Sequence, residues 1–254
     1  MLLGLIVPAA IIVIWQLAKS LGALPYDNVP SPFQIVRSYG ALIADGELAR
    51  NLGHTLLACL GGWALGSAIG IALGVGLGVS RAAWNYSMAS VEVLRAIPAI
   101  AFVPIAVIIF TQTLQMEISI ATWVAIWPVT VSTMNGVASV SSEHHDVARS
   151  LRLSWLERVT KLALPTAMPK LLVALRLSLS GALVLAIVAE IVGNPAGIGY
   201  ALVSAQQALR PDEMFAYILL TGVIGLVLNG LLSLVYRYAA PGVTARMEGA
   251  TGGA

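Results

Sequence analysis

The chain has 254 residues, 58% of them hydrophobic and only 10% charged, with a net charge of +2. A soluble domain carries about a quarter charged residues, so this composition excludes an ordinary cytosolic protein and a disordered chain, and so small a net charge excludes a nucleic-acid binder. One cysteine, Cys59, excludes a disulfide framework, and three histidines leave little for a histidine metal cage.

A bilayer core of about 30 Å needs roughly 20 apolar residues as helix. Charge-free windows at 1–18, 51–80, 96–116, 118–142 and 214–236, with a shorter one inside 171–192, predict an all-α, polytopic membrane protein. Its six helices are expected near 2–18, 53–79, 87–110, 118–138, 171–192 and 214–238. The first helix lacks a basic leader and a small-residue cleavage site, so it is expected to be retained. In the loop that follows, Ser31 is placed to cap a short helix with Pro32 at its first position. Phe33, Val36, Leu42 and Ile43 give that helix an apolar face suited to the membrane surface. Residues 1–50 thus form a first helix plus an extracytoplasmic linker, 51–238 the transmembrane core, and 239–254 a Gly-, Ala- and Thr-rich tail expected to be disordered. No internal repeat suggests an inverted-repeat carrier.

In the second span Gly62, Gly66, Gly70, Gly74 and Gly78 recur every four residues. Each adjacent pair is a GxxxG, which lets another helix approach closely where no hydrophobic drive exists. The partner is either a helix of this chain or a second membrane subunit. In the third span Glu92 and Arg95 stand three apart and can pair, and Pro98 and Pro104 loosen the helix. Glu190 lies near the end of the fifth span. Such charges are internal pairs and anchors, or residues of a pathway or gate; for Glu190 a structural or gating role suits better than direct binding of a ligand. Segment 191–209 is charge-free but holds Gly193, Asn194, Pro195, Gly197 and Gly199, so a broken, partly re-entrant loop is expected there. Tyr200 in that loop joins Glu92, Arg95 and Glu190 as a candidate pathway residue.

With the N-terminus inside, the inner segments hold Arg81, Arg149, Arg152, Arg158, Lys161, Lys170, Arg176, Arg237 and Arg246. The outer ones hold Lys19, Arg37, Arg50 and Arg210. This excess predicts cytoplasmic N- and C-termini in the cell membrane. Residues 139–170 are then a polar cytoplasmic loop. Ser142 can cap a helix running to about Leu151, and Ser154 with Glu157 forms a capping box for a second. Pro165 and Pro169 are expected to disturb the chain before the fifth span. Val147, Leu151 and Trp155 make an apolar ridge that a solvated connector does not need, but a docking partner does.

This loop resembles that of permease subunits of type I ABC importers, whose pattern is E-A-A-x3-G-x9-I-x-L-P. Asp146, Val147 and Ala148 fall on its opening, Arg152 on the glycine, Leu162 on the isoleucine and Leu164-Pro165 on the closing pair. Val147 and Arg152 depart from the pattern, and a residue with a Cβ in place of glycine alters the turn. Val29-Pro30-Ser31-Pro32, Leu94-Arg95-Ala96-Ile97-Pro98, Val188-Ala189-Glu190 and Gly197-Ile198-Gly199-Tyr200 resemble, in the same order, segments of the nitrate, sulfonate and taurine branch. The resemblance implies a six-helix permease fold. It implies docking on ABC ATPase subunits through Asp146, Val147, Ala148, Arg149, Ser150, Leu151, Arg152, Trp155, Leu164 and Pro165. It also implies a second permease subunit, identical or related, and an extracytoplasmic substrate-binding protein.

The chain has no phosphate-binding G-x-x-x-x-G-K-[ST], so ATP and Mg are expected on the partner ATPase and no cofactor on this chain. No H-E-x-x-H, G-x-S-x-G or S-x-x-K marks a catalytic centre. His144 and His145 are adjacent and point about 100° apart on a helix, so no metal is expected there. His54 is expected at the membrane interface. A transport subunit is therefore expected rather than an enzyme. An integral-membrane enzyme lacks its acid–base set, and an ion-coupled carrier lacks a relay beyond Glu190. Nitrate, sulfonates, taurine and small heterocycles stay open as substrates.

Overall fold

The computed structural model describes residues 3–78, 80–139 and 153–239, and every regular element among them is helical. They are α1 (Leu3–Ser20), α2 (Pro32–Ala44), α3 (Glu47–Gly78), α4 (Arg81–Ala96), a 3-10 turn (Ala99–Phe102), α5 (Val103–Phe110) and α6 (Leu114–Ala138). There follow α7 (Trp155–Arg158), a π turn (Val159–Ala163), α8 (Leu164–Gly193), α9 (Gly197–Gln207) and α10 (Pro211–Ala239). Four stretches, Glu47–Gly78, Leu114–Ala138, Val159–Gly193 and Pro211–Tyr238, are each long and apolar enough to cross a bilayer. Ala82–Ala96 and Ala99–Phe110 together make a fifth, bent by 76°. With 18 residues α1 is about 27 Å long, a little under the hydrocarbon thickness.

Three departures from the expected spans have local causes. The third span breaks because Pro98 has no N–H to give and pushes Ile97 into an extended conformation (φ −71°, ψ 122°). The fifth is longer than expected and is not interrupted by Pro165 or Pro169; the chain is helical without a gap from 155 to 193. Pro165 falls in the first turn of α8, where a missing N–H leaves little unsatisfied, and the π turn just before it absorbs the change of register. The expected loop at 191–209 breaks only at 194–196 and then re-forms as the eleven-residue α9, so the chain makes a helical hairpin.

α3 and α6 run parallel and form the most extensive contact, with α8 crossing both. The glycine ladder lies in this seam. A Cβ built on Gly62 would sit 2.4 Å from the Cβ of Ala121, on Gly66 2.6 Å from the Thr122 carbonyl, and on Gly74 2.4 Å from the Cβ of Thr133. Gly70 and Gly78 face Ile126, Val129 and Met134 in the same register. The ladder's partner in this fold is a helix of the same chain. Gly136 on α6 repeats the device toward α8, meeting Ala167 at 2.3 Å.

Ser31 caps α2 in a reciprocal box with Gln34 (Gln34 N–H to Ser31 Oγ 3.2 Å, Ser31 N–H to Gln34 Oε1 2.7 Å). Its face toward the bundle is Ile35, Ser38 and Leu42, whereas Phe33, Val36 and Ile43 are exposed. Leu42 therefore belongs to the core rather than to the surface face expected for it. The main core joins α2, α3, α6, α8, α9 and α10, and a second cluster (Val103, Ala106, Met116, Ile120, Ala189) ties α5 to α6 and α8. The bundle has two ends. One, called here the hairpin end, holds the starts of α3 and α6, the end of α8, and α9. The other, the loop end, holds the ends of α3 and α6 and the helix start at 155.

Candidate functional site

At the loop end, the capping box on Ser154 forms as a box should. Glu157 N–H donates to Ser154 Oγ (3.3 Å), while Ser154 N–H and Oγ–H donate to Glu157 Oε2 (3.0 and 2.9 Å). Lys161 Nζ donates to the other carboxylate oxygen at 2.9 Å. These donors, Lys161 first, hold the Glu157 carboxyl down at about 2. Trp155 opens α7, Leu164 packs against a small cluster of Val75, Val137, Val159 and Ala163, and Pro165 is exposed. The expected docking residues Asp146, Val147, Ala148, Arg149, Ser150, Leu151 and Arg152, the cap at Ser142, and the tail beyond 239 lie outside the described residues.

At the hairpin end, α3, α6, α8 and α9 converge on a buried polar cluster. Glu190 is 1% exposed and is held from two sides: Thr55 Oγ–H donates to Oε1 (2.7 Å) and Gly199 N–H to Oε2 (2.8 Å). Ile198 N–H in turn donates to Thr55 Oγ1 (2.9 Å). The first turn of α9 thus points its free N–H groups at a carboxylate and its hydroxyl partner, the arrangement a helix N-terminus favours. Gly197, at φ +89°, makes this possible; a Cβ there would lie 2.2 Å from the Glu190 carboxyl carbon. Beside it Glu117, fully buried, lies 2.9 Å from His54 Nε2 and accepts from the Asn194 side-chain amide.

Glu190 was legible in the sequence. Glu117 carries no sequence signal of its own and His54 alone reads as an interfacial residue; the two are 63 residues apart, so no local spacing joins them. Glu92 and Arg95 pair at 2.5 Å on α4, and both side chains are about half exposed. They are not brought to Glu190. Tyr200 lines a cavity of about 310 Å³ at the hairpin end, shared with Arg50, Asn51, Ser204, Arg210 and Tyr217.

The same architecture occurs in known transport proteins. A chain of the MetNI methionine ABC transporter, solved in inward-facing conformations, superposes with a TM-score of 0.67 at 21% identity, covering 75% of this chain and 95% of that one. A putative aliphatic sulfonates transport permease protein of Bacillus subtilis (strain 168) is 32% identical over 234 residues, covering 92% of this chain and 85% of that protein. A nitrate import permease protein of Synechococcus elongatus is 26% identical over 241 residues, covering 90% and 86%. Residues 66–245 match the family described as binding-protein-dependent transport system inner membrane component. The chain is therefore a multi-pass membrane permease belonging to that family, in the branch whose members include sulfonate and nitrate permeases.

Proposed function

We propose that this chain forms the translocation pathway of an ATP-driven importer of small oxyanions, with sulfonates the first class to test. Two permease subunits would line the pathway, two ATPase subunits would grip the segment around 142–165 from the cytoplasm, and an extracytoplasmic binding protein would deliver substrate to the hairpin end. Both termini would be cytoplasmic. The observation that carries the reading is the unbroken helix from 155 to 193. The capped loop-end elbow and Glu190 lie on this one continuous helical stretch, which includes the π turn at Val159–Ala163, and a nucleotide-driven movement of the elbow would be transmitted along it to the hairpin. A ligand shifts only states that it binds differently, so the ATPase must hold the elbow differently in its two nucleotide states. The cavity beside Tyr200 is bordered by Arg50 and Arg210 and equally by Glu47 and Glu213, which pair with them, so its lining is polar with balanced charge and the substrate class rests on the relatives.

The test is uptake in vesicles containing the assembled transporter. An Ala148→Arg variant is expected to insert normally and hydrolyse ATP while uptake falls at least tenfold. Normal uptake in that variant would remove the docking role. Labelled alkanesulfonate displaced by excess alkanesulfonate but not by nitrate supports the substrate class, and the reverse pattern rejects it. Robust uptake by the lone chain without ATP would favour an ion-coupled carrier.

A further inference from the structure

His54 from α3, Glu117 from α6 and Glu190 from α8 offer ligand atoms that all lie within 4.8 Å of one another. We propose that these three residues bind one divalent transition-metal ion, which staples three membrane helices together at the hairpin end. The inference concerns a site distinct from the cavity beside Tyr200 and holds whatever the importer carries.

Charge is the first argument. Glu117 and Glu190 are 0% and 1% exposed, with the His54 imidazole beside them. Two buried carboxylates without matching positive charge are costly in a dry bundle, and a dication beside a neutral imidazole balances them. Coordination is the second. Glu117 Oε2 is buried and accepts no hydrogen bond, although His54 Nε2 stands 2.9 Å away. The same imidazole nitrogen lies 3.1 Å from Oε1, so nitrogen and carboxylate stand close enough to share one ion. A first-row ion with bonds of about 2.1 Å needs donors roughly 3.4 Å apart in a tetrahedral site and up to about 4.2 Å in an octahedral one. With all three atoms within 4.8 Å of one another, the side chains have to close by up to about 1.4 Å for a tetrahedral ion and less for an octahedral one.

The surroundings also suit a metal. Thr55 and Gly199 donate to the two oxygens of Glu190, fixing its orientation while leaving lone pairs free. Asn194 stands against both Glu117 and His54 and offers a fourth, amide ligand if its side chain turns. His54 is 21% exposed at the side chain, which provides an entry route from the hairpin end. One nitrogen with carboxylate oxygens selects Mn2+, Fe2+, Co2+ or Zn2+ over Ca2+ or Mg2+.

The experiment uses the full chain in nanodiscs without nucleotide or ATPase, stripped with EDTA and titrated with MnCl2. The bound ion is followed by electron paramagnetic resonance and by metal content after desalting. One Mn2+ per chain is expected, with affinity at least tenfold lower in His54→Ala and in Glu117→Gln. His54→Ala changes a partly exposed side chain, and its elution profile reports on folding. Zn2+ is expected to displace the bound Mn2+. Absence of stoichiometric metal in the unaltered chain, or an affinity in both variants equal to that of the unaltered chain, would overturn the site and leave His54 and Glu117 an ordinary ion pair.

Discussion

Gly199 is a residue at which the hairpin has no room for a side chain and a backbone atom is what blocks it. A Cβ there would lie 2.3 Å from the Ile187 carbonyl oxygen and 2.9 Å from the Glu190 Cβ, both on the backbone-fixed part of α8. Gly199→Ala must push α9 off α8 and lengthen the Gly199 N–H bond to Glu190. A loss of about 2–4 kcal/mol is expected, from overpacking plus one strained charge-assisted bond. Thermal unfolding of the detergent-solubilised chain reads it. Leu209 is the opposite case. It takes a left-handed conformation (φ 55°) at the end of α9, where Arg210 N–H closes back to the Ala205 carbonyl at 2.9 Å, and it is 85% exposed. No contact is lost on truncation, and glycine is the favoured residue in such a cap. Leu209→Gly should therefore stabilise by about 0.5–1 kcal/mol. Glu157 at the elbow has a folded-state value of about 2, below the roughly 4.3 of a free glutamate. Its capping contribution is complete above that ordinary value and is lost as pH falls toward 2. Carboxyl-carbon NMR of Glu157 should titrate near 2, and Lys161→Met should move the midpoint upward.

The elements divide by whether their signal is local. The glycine ladder and the Ser31 and Ser154 caps follow from residues within one or two helical turns and were legible in the sequence, whereas Pro98 was legible only as a loosening of the third span and not as the 76° bend it makes. The π turn before Pro165 was not, because a proline's missing N–H can be absorbed either by a break or by a register change, and only packing of α8 along α3 and α6 decides. The His54–Glu117 pair was hidden for a related reason: its residues meet only because the ladder sets α3 beside α6 in parallel. That dependence can be measured. Gly74→Leu places a side chain where Thr133 Cβ stands 2.4 Å away, whereas Gly76, two residues on, has open space around it. Gly74→Leu should separate the two helices and reduce folded yield sharply. Gly76→Leu should be tolerated or slightly stabilising through helix propensity, by up to about 1 kcal/mol. Equal behaviour of the two variants would mean that the ladder does not set the seam.

Across the whole molecule, the distance from Leu164 to Glu190 along α8 is about 39 Å at 1.5 Å per residue, roughly the full thickness of a membrane. A continuous helix of that length, with a π turn and Pro169 near its elbow end, links the elbow to the hairpin, so a tilt carried past that turn disturbs the contacts of Glu190 at the other end. The chain offers a clean way to see it. Cys59 is its single cysteine and is fully buried, so an introduced thiol reports with little background. Leu209→Cys, exposed at the hairpin end, should react with a membrane-impermeant maleimide added outside intact cells whatever the nucleotide state. Lys161→Cys, exposed at the elbow, should react only after the membrane is opened. This pair reads orientation alone. Asn194→Cys, buried beside Glu117, should be protected in one nucleotide state of the assembled transporter and labelled at least fivefold faster in the other. Labelling of Leu209→Cys only from the inside would invert the topology. Equal rates at Asn194→Cys in both nucleotide states would show that movement of the elbow never reaches the hairpin, and α8 would then be a strut rather than a lever.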